Sequence, residues 1–499
     1  MPNPTKSIIS SLLIALFCGV GLPGFSQSSP NPNIIFILAD DLGYGDLQSY
    51  NPASLVPTPN LDRLAEEGTR LTNAYCPVAV CSPTRYSLMT GRYSFRSWKP
   101  NGVMSNYEPS LIEAELLTLP EMLRESGYTT AGFGKWHLGT TFPTLDGKKP
   151  AGYGHFRADD NGTNLDLSKP VSDGPLDHGF DHWLGFSCAS ECWILEDNRI
   201  AAIIDHDLYT TEATPNAEKL PKYTLEEYLP YITNQTLGFL KKQPSANQPF
   251  FLYYAPYVPH IPLAVSERFR GTTEAGLYGD YVHELDHYIG QILTALDSLN
   301  LTNNTIVLFA SDNGSQFEAT ARGMDLENAQ NSPGSSVDGE PTGEVHQPNG
   351  KLRGTKWTVW EGGVRTPFVA RWPNYFPAGA AKEDLFALTD VLATLAAVVD
   401  YQLPNSAAQD SYNLLPVLQG DAVGEREAVV VKASNNTFGL RWKNWKYVQG
   451  KEGETAQLYD LSTDESETTD VHSKHPQVAK EMEQMLAKLL NSQRTIPSR

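Results

Sequence analysis

Residues 81–92 read CSPTRYSLMTGR. Ser82-Pro83 forms a helix start, since proline is tolerated in the first turn. Cys81 is therefore expected at the positive end of a helix, with Arg85 about one turn along the same face, where an anionic oxygen or sulfur at position 81 would be stabilised. Metal ligation, a disulfide to Cys76 across the short loop through Pro77, and nucleophilic catalysis all compete for such a cysteine. Zinc is disfavoured, because the neighbouring motifs supply neither a paired-cysteine nor a His-x-x-x-His set. Two other positions offer hard oxygen donors: Asp40-Asp41 and Asp312-Asn313. Such groups repel one another without a counter-charge, and a divalent cation resolves this, with calcium or magnesium favoured over zinc. The competing reading has Asp40 and Asp41 merely capping the next helix or turn; the repetition at two sites weighs against it.

These side chains need strands to carry them. Asn33 to Ala39 is a continuous apolar run of the kind buried on both faces of a parallel sheet, and it ends in Asp40-Asp41. Thr305 to Ala310 repeats the pattern and ends in Ser311-Asp312-Asn313-Gly314. Phe250 to Ala255 is a third such run and leads into a proline-rich turn carrying His260. Between them, Tyr281 to Leu299 has Leu285, Ile289, Ile292 and Leu296 at helical spacing. Alternating buried strands and helices predict an open α/β sheet, with ligands gathering at the carboxyl ends of its strands.

Lys6, the apolar run Ile8 to Leu22, and Gly24-Phe25-Ser26 predict an export signal over residues 1–26. The apolar run is shorter than a bilayer span needs, so no membrane span is expected. Cys18 stands behind Phe17, where a lipoprotein signal would want a small residue. The rest of the 499-residue chain is too long for one core and suggests a large domain plus a smaller one. With so few cysteines, disulfides cannot be its main source of stability. A net charge of −20 argues against nucleic acid as partner and requires that any anionic substrate be held by a local basic cluster. Two polar, turn-rich regions stand out, Asp205 to Lys222 and Ser315 to Gly350. The second is a candidate pocket wall or, equally, a surface insertion.

Taken together, the motifs resemble those of type I sulfatases, in the alkaline phosphatase superfamily. The resemblance is carried by Cys81-Ser82-Pro83-Thr84-Arg85 with Leu88 to Arg92, by Asp40 to Asp46, Gly134 to Gly139, and Asp177 to Asp181. It continues through Tyr253 to Pro256 with His260, Ser311 to Gly314, Leu352 to Trp357, and Glu361-Gly362-Gly363. One five-residue match would be weak; the ordered set is strong. It replaces the disulfide reading of Cys81.

The resemblance implies that Cys81 is oxidised to formylglycine by a formylglycine-generating enzyme, and that the aldehyde hydrate attacks sulfur, dividing hydrolysis into two steps. Asp40, Asp41, Asp312 and Asn313 would hold one divalent cation, Ca2+ before Mg2+, which also touches residue 81. Arg85 would orient the nucleophile and His137 assist its proton transfer. Lys135 and Lys356 would neutralise the sulfate oxygens, and His260 would protonate the departing alkoxide. The other histidines are treated as structural, with His178 near the site but outside its chemistry.

The implied fold is a large mixed, mostly parallel sheet flanked by helices, followed by a smaller antiparallel sheet plus helix. Residues 27–424 would be catalytic and 425–499 the small subdomain. Lys432 to Asn435 stand where related chains often place a histidine-bearing turn near the pocket. Cys188 and Cys192, in a segment expected to face substrate, are a candidate disulfide. The implied substrate is the sulfate monoester of a sulfated carbohydrate, attacked from a chain end outside the cell or in the periplasm. Rival readings are a phosphonate monoester or phosphodiester hydrolase of the same superfamily, a non-catalytic sulfated-glycan binder, and a disulfide-stapled adhesion module.

Overall fold

The computed structural model describes residue 1 and residues 31–156, 161–188, 191–205, 214–245, 248–324, 339–420, 423–451 and 453–497. The expected export signal with Cys18, His206, and the middle of the 315–350 region lie outside the described residues.

Among the described residues, eleven strands form one sheet. At its centre Thr305–Ser311, Asn33–Ala39, Phe250–Ala255, Thr129–Gly134 and His182–Phe186 run parallel, in that order. Phe368–Arg371 adds to one side antiparallel and Trp193–Glu196 to the other, making the sheet mixed. Residues 33–39, 250–255 and 305–311 are buried throughout, as an unbroken apolar run requires when helices cover both faces. The register pairs Ala39 with Ser311 and Gly134 with Ala255. Residues Asp40, Asp312 and Lys135, each one step beyond its strand, therefore issue from a single edge.

The helix expected over Tyr281 to Leu299 runs from Gly276 to Ser298, because Tyr278, one turn before the buried Val282, carries its buried face further towards the N-terminus. It packs against Pro59–Glu66 and Leu225–Leu240. Cys81–Thr90 is a helix in which all ten residues are buried, so its sequence shows no amphipathic stripe. Leu119–Glu125 and Asp390–Val398 pack on it. Its C-terminus closes with Gly91 in the left-handed region, φ 61°.

Ala428–Lys432, Phe438–Trp442, Trp445–Val448 and Gln457–Asp460 form a four-stranded antiparallel sheet covered by the helix Pro476–Asn491. Val430, Leu440, Leu458, Met482 and Leu486 make the core between them. Backbone bonds tie this sheet to the loop before Cys81. The Ala79 N–H donates to Lys432 O (2.9 Å), and Lys432 N–H to Pro77 O (3.0 Å). Trp357 N–H donates to Ala79 O (2.7 Å), and Ser434 N–H to Trp357 O (3.0 Å), so the Lys356 loop joins the same lacing. No helix among the described residues is long and apolar enough to cross a membrane.

Candidate active site

Asp40, Asp41, Cys81, Arg85, Lys135, Asp312 and Lys356, drawn from five separate stretches of chain, converge in one buried cluster. Cys81 starts its helix, with Val80 extended just before it, and its Sγ lies 3.5 Å from Asp40 Oδ1. Arg85 is fully buried. Its Nε and Nη2 donate to Asp312 Oδ2 (3.0 and 2.8 Å), and its Nη1 to Lys135 O (2.8 Å) and Tyr253 OH (3.4 Å). Lys135 Nζ donates to Asp40 Oδ2 at 2.6 Å, and Lys356 Nζ to Asp41 Oδ2 at 2.7 Å.

Three carboxylates thus meet three cationic side chains, and the counter-charge that the sequence reading assigned to a metal alone is supplied in part by Lys135, Lys356 and Arg85. The lysines expected on sulfate oxygens rest on the aspartates. A cation still fits the donor set. Asn313 Nδ2 donates to Asp41 Oδ1 (2.6 Å), which leaves Asn313 Oδ1 buried without a partner. Asp40, Asp41, Cys81 and His260 each present a ligand atom, all within 4.8 Å of one another. His260, with Nε2 3.7 Å from Asp41 Oδ2, stands closer to the carboxylates than a purely leaving-group role suggested.

Charge and burial set the protonation states. Burial alone would raise the Asp40 carboxyl, but Lys135, His260 and Arg85 hold it well below the usual range. Burial lifts Asp41 despite Lys356. Burial together with Asp40 lifts Asp312 to about 7 against the pull of Arg85. Burial pushes the Cys81 thiol up despite the two lysines, so an unmodified cysteine here is a neutral thiol and a poor nucleophile. Burial, Lys356 and Lys135 drive His260 well below its ordinary value; burial, Lys135 and Arg85 do the same to His137. His137 Nε2 faces Met104 O at 3.0 Å, while its Nδ1 is buried without a partner. Asp41 and His137 both take left-handed backbone, φ 66° and 59°. Such conformations gather at sites where the surroundings enforce them.

The four described cysteines are free thiols. Neither the Cys76–Cys81 nor the Cys188–Cys192 disulfide forms: Cys76 Sγ turns to Gly363 O (3.6 Å), and Cys188 Sγ lies against Met104 O (3.8 Å). His178 bonds Ser110 Oγ and stacks near Trp136, apart from the cluster.

Sequence reasoning quoted Tyr253 within the Tyr253 to Pro256 motif but gave it no role, and it missed the set that fastens the Asp41 turn. Asp46 accepts from Gly43 N–H (2.7 Å) and Tyr278 OH (2.5 Å), and pairs with His346 Nε2 (2.8 Å). Asp46 was legible as the end of the Asp40 motif. His346 lies in the polar 315–350 region, where no periodicity marks it.

A buried residue 81 at a helix head, facing strand-end aspartates on this sheet, defines a sulfatase of the alkaline phosphatase superfamily. The chain belongs to the sulfatase family, whose model matches residues 32–401, and it is a sulfuric ester hydrolase. Residues 355–495 match the C-terminal region of N-sulphoglucosamine sulphohydrolase. The chain is 32% identical over 514 aligned positions to an N-acetylgalactosamine-6-O-sulfatase of Bacteroides thetaiotaomicron, covering 92% of this chain and 93% of that one. It is 34% identical to the human N-acetylgalactosamine-6-sulfatase, over 80% of this chain and 67% of that one. A solved chain from work on the metabolism of multiple glycosaminoglycans by B. thetaiotaomicron superposes with a TM-score of 0.78 at 30% identity, covering 93% and 100% of the two chains.

Proposed function

We propose that the protein removes sulfate from a sulfated carbohydrate, using Cys81 after its conversion to formylglycine. The observation that carries this is the placement of Cys81 Sγ 3.5 Å from Asp40 Oδ1 inside a buried, charge-balanced cluster. Its thiol is held neutral there, so the side chain gains chemical use by being modified. The hydrated aldehyde supplies two hydroxyls on one carbon, one to take the sulfuryl group and one to expel sulfate. Asp40, Asp41, Asp312 and Asn313 would hold the cation, calcium before magnesium, whose charge would favour the deprotonated nucleophile and polarise the ester.

Arg85, locked onto Asp312 and Lys135 O, would keep residue 81 oriented. Lys135 and Lys356 would turn part of their charge onto the sulfate oxygens as these gain charge in the transition state. His260 can act as the acid only once the anionic ester offsets those lysines, because in their field alone it is neutral. His137, with Nδ1 unpartnered, would accept the proton released when the second hydroxyl collapses to the aldehyde. The names of the relatives favour 6-O-sulfated N-acetylgalactosamine as the first substrate to test. Residues 1–26 are read as an export signal, 27–424 as the catalytic domain and 425–499 as its small partner.

Peptide mass across residues 81–85, sulfate release from 6-sulfated oligosaccharides, and a parallel assay on phosphate and phosphonate esters test the reading. The aldehyde mass, chelator-sensitive sulfate release, and slow phosphoester turnover are expected. Full activity with an unmodified thiol, or unchanged rates after exhaustive chelation, would refute it.

A further inference from the structure

A cleft of about 1060 Å³ is lined by segments that follow Asp41 and precede Lys356, with no residue of the catalytic cluster among its walls. Tyr44, three residues beyond Asp41, and Gly350 to Leu352, just before Lys356, form part of its wall. Arg441 and the 461–468 turn close it from the C-terminal sheet. The cleft exceeds the size of pocket that takes a drug-sized ligand, so it has room for more than one sugar ring. Tyr44 and Tyr50, packed edge to face with centroids 5.0 Å apart, give part of its wall an aromatic surface.

Its base carries an imbalance of charge. Arg441 is 3% exposed, and its Nε donates to Tyr75 OH (2.9 Å). Among the described residues no carboxylate forms an ion pair with Arg441, and its Nη1 is buried without a hydrogen-bond partner. Arg365 beside it donates to Thr72 O (2.7 Å) and reaches Glu465 (3.4 Å) and Glu361 (3.8 Å). At the rim, the exposed Lys351 pairs with that same Glu465. Of the remaining rim carboxylates, Asp464 is turned onto the backbone of Thr468 and Thr469, and Glu383 is exposed. The Glu361 carboxylate is reached from Arg441 through Tyr75 OH and is shared with Arg365 and Lys446. A guanidinium never deprotonates, so the buried Nη1 of Arg441 is costly to leave unpaired unless something anionic completes it. Its planar fork of donors suits a sulfate or carboxylate.

We propose that this cleft is a second binding site for an anionic sugar chain, with a sulfate or carboxylate substituent on Arg441 and sugar faces against Tyr44 and Tyr50. The proposal rests on the reading of the substrate as a sulfated carbohydrate, but not on the chemistry at Cys81. It places a recognition site on a strongly acidic protein at a buried arginine whose Nη1 lacks a partner, in a cleft whose lining carries three cationic and three acidic side chains.

The test uses full-length Cys81→Ala protein, which cannot turn substrate over, titrated calorimetrically with a sulfated tetrasaccharide, its desulfated form, or inorganic sulfate. Two equivalents of the sulfated chain should bind. Arg441→Gln should remove or weaken the second by about tenfold to a hundredfold, the worth of a charge-assisted hydrogen bond. Lys351→Glu, at an exposed position that cannot disturb folding, should weaken it in the same direction. In the chain with Cys81 intact, Lys351→Glu should leave turnover of a small aryl sulfate unaltered. One equivalent in the parent, equal binding of the desulfated chain, equal binding of inorganic sulfate, or no effect of Lys351→Glu would each overturn the proposal. Absent aryl sulfate turnover in the active chain would instead sink the catalytic reading and leave the binding result to stand by itself.

Discussion

The ion pair between Lys356 and Asp41 offers the sharpest quantitative check on the site. Nζ and Oδ2 are 2.7 Å apart and both side chains are almost fully buried. At an effective dielectric of about 20 the gross attraction at that distance is roughly 6 kcal/mol, most of it offset by the desolvation of two ions. Lys356→Met leaves the Asp41 carboxylate buried beside Asp40, and Asp41→Asn leaves a buried ammonium. Each single change should cost about 3–5 kcal/mol, the range for breaking a buried pair from one side. The double variant removes both charges together, so it should be about 3 kcal/mol more stable than the sum of the singles predicts. The assay is urea unfolding followed by tryptophan fluorescence, with chelator present so that only side chains contribute. Additive costs within about 0.5 kcal/mol would show that the two groups do not interact and that the charge-balanced cluster is misdescribed.

Burial raises Glu191 to about 8 although it accepts from Tyr107 N–H at 2.5 Å. Its folded pKa exceeds its unfolded one, so the stability it contributes is full below about 4.5 and is lost as pH rises towards 8. Between pH 4.5 and 7 the loss is roughly 3 kcal/mol, and Glu191→Gln should flatten that part of the stability profile; an unchanged urea-midpoint profile would contradict it. At Gly314, a Cβ would come within 1.8 Å of Gly362 O, where the Asp312-Asn313 turn meets the 361–363 segment. Gly314→Ala should therefore cost about 3 kcal/mol and abolish sulfate release, read from thermal unfolding and an ion-chromatographic sulfate assay. Removing the His346 side chain should raise the divalent-ion concentration needed for thermal protection while sparing the fold, because His346 acts on the Asp41 turn through Asp46.

What the sequence made legible was whatever depends on local pattern. The runs 33–39, 250–255 and 305–311 could only be strands buried on both faces, and they carry Asp40-Asp41, Asp312-Asn313 and His260 to one edge. Cys81 and Arg85 followed from Ser82-Pro83 and helical spacing. What stayed hidden depends on pairing across the chain. No pattern in Lys135 or Lys356 says that each will lie on an aspartate nearly a hundred or more than three hundred positions away, and so the metal looked like the only available counter-charge.

The same reasoning explains the small C-terminal sheet, whose strands were readable but whose purpose was not. Its first strand pairs with the backbone at 77–79, two residues before Cys81, and the next turn holds Trp357, one residue after Lys356. Lys446, buried in that sheet, donates to Glu361 at 2.7 Å, and Glu361 in turn accepts from Tyr75 OH at 2.8 Å. The sheet therefore fixes both the nucleophile loop and one of the two lysines, through backbone bonds that need an N–H at 432 and 434 and so exclude only proline there. The side chains add to this lacing: the buried Lys432 Nζ donates to Asn101 Oδ1 at 2.6 Å, and Ser434 Oγ donates to Trp357 O at 3.3 Å, so the turn after the first strand is tied both to the 100–101 segment and to the Lys356 loop.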